Sequence, residues 1–217
     1  MKKAVLLFCV FIFYSQFAYS QDEAVLNYPL TAQTAETFRA VCARIAQHPV
    51  IKGNFEQEKI ISRLNRSLKS SGNFIITSGL GMVWETINPF ASTLVLGKDF
   101  LIQSRPGGQR TVLSAQGNET FLGMAQVISG VFSGNARALE NNFEIFFSGS
   151  ASSWEMALIP LDKTLNAFAQ RIIMKGDNVI KAIWISEQNG DSIKYILTNH
   201  IFQAALNANE TALFSLP

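Results

Sequence analysis

Cysteine and histidine are nearly missing from this chain, with two of each among 217 residues. Two cysteines cannot build a disulfide scaffold, and 14 Gly with 6 Pro exclude a collagen-like repeat. Charge is sparse too, at 16% of residues with a formal net of +2. Low charge beside 48% hydrophobic residues is the reverse of what keeps a chain disordered. Long apolar runs are also absent: the longest unbroken one, Ala4 to Tyr14, has eleven residues. A helix needs about 20 to cross a bilayer, so a membrane-spanning reading fails. What is present is a mean hydropathy of +0.17, apolar for a chain with no span, and enough length for one ordinary core.

The apolar run has its own explanation. Met1-Lys2-Lys3 is a short basic start, and Ala18-Tyr19-Ser20 places small residues before a cut at Gln21, the pattern of a secretory signal peptide over residues 1–20. Cys9 sits inside the run behind Phe8, not after it, so no lipid attachment is expected on the processed chain. Removing Lys2 and Lys3 from the 18 basic residues leaves 16 against 16 acidic ones. Neutrality removes the electrostatic case for nucleic acid. Cys42 is then the sole cysteine, on a helix face where a buried, inert thiol is expected.

Residues 21–217 read as a single domain. Thr34 to Gln47 has Phe38, Val41, Cys42 and Ile45 at helical spacing and is closed by His48-Pro49. From about residue 51 the period becomes two. Strands are expected at Gly72–Ile76, Met82–Thr86, Thr93–Leu96, Phe100–Ser104 and Arg110–Leu113. They continue at Phe143–Ser148, Trp154–Pro160, Phe168–Lys175, Val179–Ser186 and Ser192–His200, with a short last one at Ala212–Ser215. The connections are too short for crossover helices, so neighbours should pair antiparallel. A second helix, apolar nearly all round, is expected from about Glu119 to Phe132, with a helical turn near Ala136–Glu140. The layout is α+β, a large antiparallel sheet covered by helices.

Chemistry is hard to find in it. His48 and His200 stand at element ends, and no nucleophile elbow, metalloprotease motif, Cys-x-x-Cys or phosphate loop occurs. Gly79-Leu80-Gly81 lacks the third glycine of a dinucleotide fingerprint and separates two strands. Arg63, Arg66 and Lys69 around Asn65 read as a solvated hairpin tip or an anionic-partner patch. Neither enzyme activity nor a cofactor or metal site is expected. Several strands instead carry large residues on one face: Met82 with Trp84, Phe143 with Ile145 and Phe147, Trp154 with Met156 and Leu158, and Phe168 with Ile172 and Met174. Aromatic and methionine side chains suit either a core or a pocket for a flexible apolar ligand.

An ordered series of short motifs runs through the chain: Gly53-Asn54-Phe55-Glu56-Gln57, Ser70-Ser71-Gly72-Asn73-Phe74, Trp84 with Asn88-Pro89, and Leu94-Val95-Leu96-Gly97-Lys98-Asp99. The series resembles the lipoprotein carrier LolA family, and Phe214-Ser215-Leu216-Pro217 is similar to that family's terminal strand. The resemblance implies an incomplete barrel of antiparallel strands whose helices cover a hydrophobic cavity. It implies a monomeric periplasmic carrier that shields lipoprotein acyl chains between an inner-membrane release transporter and an outer-membrane acceptor. The alternatives are a LolA-like carrier of a glycolipid or other lipid serving an exporter of the resistance-nodulation-division type, and a sensor or interaction module of the same fold. Phe55, Phe74, Met82, Trp84 and Leu96 are expected to line the cavity on the sheet side, and Phe121, Met124, Ile128 and Phe132 on the lid side. One departure stands out, since Ser78 occupies the place of the arginine that ties the family's lid shut.

Overall fold

Short turns join nearly all successive strands, and that local chemistry dictates the topology. A computed structural model describes residues 23–108, 110–114, 132, 134–167 and 169–215. After a 3-10 turn at Ala24–Asn27 and helix α1 (Ala32–Ile45) come β1 (Val50–Ile61), β2 (Arg66–Thr77), β3 (Gly81–Asn88), β4 (Ser92–Leu96), β5 (Phe100–Ser104) and β6 (Thr111–Ser114). Helix α2 (Ala136–Asn142) leads into β7 (Phe143–Ser150) and β8 (Ser153–Pro160). The one-turn α3 (Lys163–Asn166) precedes β9 (Arg171–Gly176), β10 (Ile180–Ser186) and β11 (Ser192–Gln203), and α4 (Ala208–Leu213) ends the described chain.

Among the described residues eleven strands form one antiparallel sheet in the order β6-β5-β4-β3-β2-β1-β11-β10-β9-β8-β7. The chain meanders outward from β1 to β6, crosses to the other edge, and meanders back until β11 pairs with β1. That central pair is long, running from Val50 opposite Gln203 to Ile60 opposite Ser192. The sheet is not closed. Its β7 edge is capped by the segment before α1, where the Leu30 amide donates to Ile145 and the Phe147 amide donates to Tyr28.

The elements differ from the expected ones at three places. β1 belongs to the strand series, whereas Ala212–Ser215 is not a strand. Asn207 and Glu210 form a capping box, each side chain accepting the other's backbone amide at 2.9 Å, and this starts α4 instead. Phe214 then packs on Val83, Val95 and Ile102. The strand expected from Phe168 begins at Arg171, after α3. The helix expected over residues 119–132 lies outside the described residues except for Phe132, as does Phe168.

The sheet buries apolar side chains on both faces. The inner face and α1 share one cluster that runs from Leu101 on β5 to Phe143 on β7. The outer face has two smaller clusters, one beneath Phe214 and one beneath Val25 of the first turn. The first and last described segments therefore pack on the outer face, and α1 covers the inner one. No described helix is long and apolar enough to cross a membrane.

Candidate functional site

The inner face is built by strand periodicity. Register sets Phe74 opposite Trp84, Trp84 opposite Leu94, and Met82 opposite Leu96. Phe55 on β1 lies opposite Gly72 on β2, and Gly72 lies opposite Thr86 on β3. At Gly72 strands β2 and β3 come very close, since a Cβ there would lie 1.8 Å from the Glu85 carbonyl oxygen. Phe55 and Trp84 stack at 4.2 Å between centroids, with Phe74 5.9 Å from Trp84 and Tyr195 edge-on at 5.3 Å. Gly53 leaves room for an aromatic ring: a Cβ there would lie 2.7 Å from the Phe74 ring.

All five sheet-side candidates reach this cluster. Phe55, Phe74, Met82 and Leu96 are buried, and Trp84 is half-buried. Of the lid-side candidates, Phe132 is half-buried against the same cluster, while Phe121, Met124 and Ile128 lie outside the described residues. The β7–β9 half adds Phe147, Trp154, Met156, Leu158, Ile172 and Met174. Buried Trp154 satisfies its indole by donating to the Asp177 carbonyl at 2.6 Å.

Helix α1 roofs this face with Phe38, Val41, Cys42 and Ile45. Phe38 meets Phe147 edge-on at 5.9 Å. The helix is fastened by two arginines that the sequence reading passed over. Arg39 Nε donates to Glu140 of α2 at 3.0 Å, and Arg44 donates to Asn178 at 2.8 Å and to the Ala151 carbonyl at 3.0 Å. Their signal in the sequence was weak, because their partners lie more than 100 residues away. Ser78 is exposed in the β2–β3 turn, where its amide donates to the Pro49 carbonyl.

Titratable groups near the face are muted. Burial pushes the Cys42 thiol up to about 12, with Glu140 adding to the rise. Burial likewise pushes the Tyr195 phenol up to about 12, with Glu187 contributing. His200 Nε2 lies 3.1 Å from the Ile180 carbonyl, and burial is the main cause holding the ring below its ordinary value. His48 stacks on Phe202 at 3.9 Å. Among the described residues no group of three or more His, Cys, Asp or Glu side chains could hold a metal. The described strand side chains gathered on this face are aliphatic, aromatic and methionine.

A family model described as outer membrane lipoprotein carrier protein LolA-like matches residues 31–216. None of the curated proteins compared with the chain matches it. Among solved structures, a LolA superfamily protein from Nitrosomonas europaea is 10% identical with a TM-score of 0.48, over 86% of this chain and 98% of that one. The Pseudomonas aeruginosa MucA/MucB complex is matched at 11% identity and a TM-score of 0.46, over 86% and 62% of the two chains. The Mycobacterium tuberculosis lipoprotein LppX is 9% identical with a TM-score of 0.42, over 81% and 97%. At such identities a likeness concerns the fold alone.

Proposed function

Because the chain belongs to the outer membrane lipoprotein carrier protein LolA-like family, we propose that it is a periplasmic carrier that shields the acyl chains of a lipoprotein on its inner face. Residues 1–20 act as a cleaved signal, and residues 21–217 form the carrier. The observation that carries this reading is the continuous apolar inner face of an unclosed sheet, roofed by a helix whose side-chain fastenings are Arg39 and Arg44.

The physical need is large. Each methylene costs about 0.8 kcal/mol to hydrate, so an acyl chain of roughly sixteen carbons costs on the order of 12 kcal/mol to carry through water. Phe55, Phe74, Met82, Trp84 and Leu96 offset that cost from the sheet, and Phe121, Met124, Ile128 and Phe132 do so from the lid. Release to a more apolar acceptor then needs no covalent step. The membrane partners are an inner-membrane release transporter and an outer-membrane acceptor.

A second reading, carriage of a glycolipid or other lipid for an exporter, is favoured by Ser78. An exposed serine in a turn cannot perform the lid-tying task of the family's arginine, so opening and cargo would differ. Mass spectrometry of lipid extracted from protein purified from its host separates the two. Triacylated peptide supports the first reading and glycolipid the second. A chain that yields no lipid under mild conditions refutes both and favours an interaction module.

A further inference from the structure

The most exposed large apolar side chain among the described residues is Phe90, 83% accessible on the β3–β4 turn. Strand direction places that turn at the same end of the sheet as the β1–β2 tip, which carries Leu64 at 61%, and the turn after β8, which carries Leu161 at 64%. Arg63 and Arg66 flank Leu64, and Arg105 stands on the β5–β6 turn at this end, all three exposed. No described carboxylate lies in ion-pair range of these arginines. The acids at this end have partners of their own: Glu187 holds Lys59 at 2.8 Å, Glu58 accepts from Ser67 at 2.5 Å, Asp191 accepts the Ser62 amide at 3.0 Å, and the exposed Asp162 beside Leu161 accepts the Leu165 amide at 3.4 Å. The Asp191 contact braces the tip, whose turn closes through Asn65 in the left-handed region at φ 45°.

We infer that this end of the sheet is a docking surface for an anionic lipid bilayer, with Leu64, Phe90 and Leu161 entering the headgroup region and Arg63, Arg66 and Arg105 meeting lipid phosphates. Separate prongs argue for a bilayer over a protein. A stable protein interface needs a continuous surface of roughly 1,000 Å² or more, whereas a fluid interface accepts apolar side chains one by one. Arginine suits the role because its stem lies in the apolar layer while its head pairs with phosphate. The surplus of positive charge is local, for the processed chain is formally neutral and could not be drawn to a membrane by net charge. The inference concerns the turns and not the inner face, so it stands or falls apart from cargo.

Flotation of the processed protein with phosphatidylcholine vesicles, with and without phosphatidylglycerol, tests it. Wild type floats with the anionic vesicles and is partly released by salt. Arg63→Gln with Arg66→Gln lowers anionic partitioning by roughly twenty-five-fold, since each basic residue near such a surface contributes about fivefold. Leu64→Asp with Phe90→Asp abolishes flotation while near-ultraviolet circular dichroism stays unchanged, because both side chains are exposed. The inference is overturned if wild type fails to float with anionic vesicles or if both double variants float like it. It is also overturned if a photo-crosslinker at position 90 in cells captures protein and no lipid. Bound lipid recovered from the inner face of a chain that does not float would sink the docking surface alone.

Discussion

Phe55 on β1 and Trp84 on β3 sit two strands apart yet stack at 4.2 Å, with Gly72 opposite Phe55 on the strand between them. The residues that carry the family's motifs are thereby joined in one physical object. An aromatic floor of this kind gives broad, flat apolar area to whatever covers it.

Gly72 is therefore the most sensitive position of the floor. A Cβ there would lie 1.8 Å from the Glu85 carbonyl oxygen and 2.9 Å from the Thr86 Cα, both backbone atoms that cannot swing aside. Gly72→Ala should cost about 3 kcal/mol. Urea unfolding measures it, and a loss within about 0.5 kcal/mol, the range of an ordinary surface change, would contradict the close approach.

Trp84 separates a carrier from a filled module. It is half-buried, so Trp84→Glu should keep the sheet by far-ultraviolet circular dichroism and lose about 2 kcal/mol of stability. Binding of a fluorescent acyl probe should fall sharply. Global unfolding of the variant would instead mean that the ring fills a dry core, as an interaction module requires.

Helix α4 is tied to the sheet by the ion pair of Lys52 with Glu210. The Lys52 ammonium, and then the Asn207 amide, hold the Glu210 carboxyl below its ordinary range. The folded carboxyl thus gives up its proton more readily than the unfolded one. The stabilisation is complete above the unfolded value of about 4.3 and disappears as pH falls through the lower folded value. A double-mutant cycle with Lys52→Ala and Glu210→Ala should report a coupling of about 1 kcal/mol at neutral pH. That coupling should vanish in acid, and a coupling independent of pH would rule out the carboxylate as its source.

Cys42 should be inert in the folded chain. With its thiol pushed up to about 12 by burial and by Glu140, roughly one molecule in ten thousand carries a thiolate at pH 8. Ellman's reagent should leave the native protein unmodified over hours and react at once in urea. Rapid reaction of native protein would show that α1 lifts from the sheet.

Much of the inner face was legible in the chain because its causes are local. Alternation along Met82–Thr86 and Phe143–Ser148, turn residues between strands, and the helical spacing of Phe38, Val41, Cys42 and Ile45 each act within a few residues. The expected strand total agreed with the eleven observed although its membership did not, since β1 was omitted and the C-terminal segment was included. That segment shows where local reading fails. Ala212–Ser215 has a strand-like run, but a capping box five residues upstream commits it to a helix.

Tertiary structure alone decided the rest. Alternation cannot say that Phe55 would stack on Trp84, because that depends on the register of three strands. Nor can it say that Arg39 and Arg44 would fasten the roof, since their partners come from distant turns. The strand period and the α1 face thus belong to the sequence, being properties of neighbouring residues. The aromatic floor and its roof belong to the fold, being contacts between distant residues that exist only once the strands have paired.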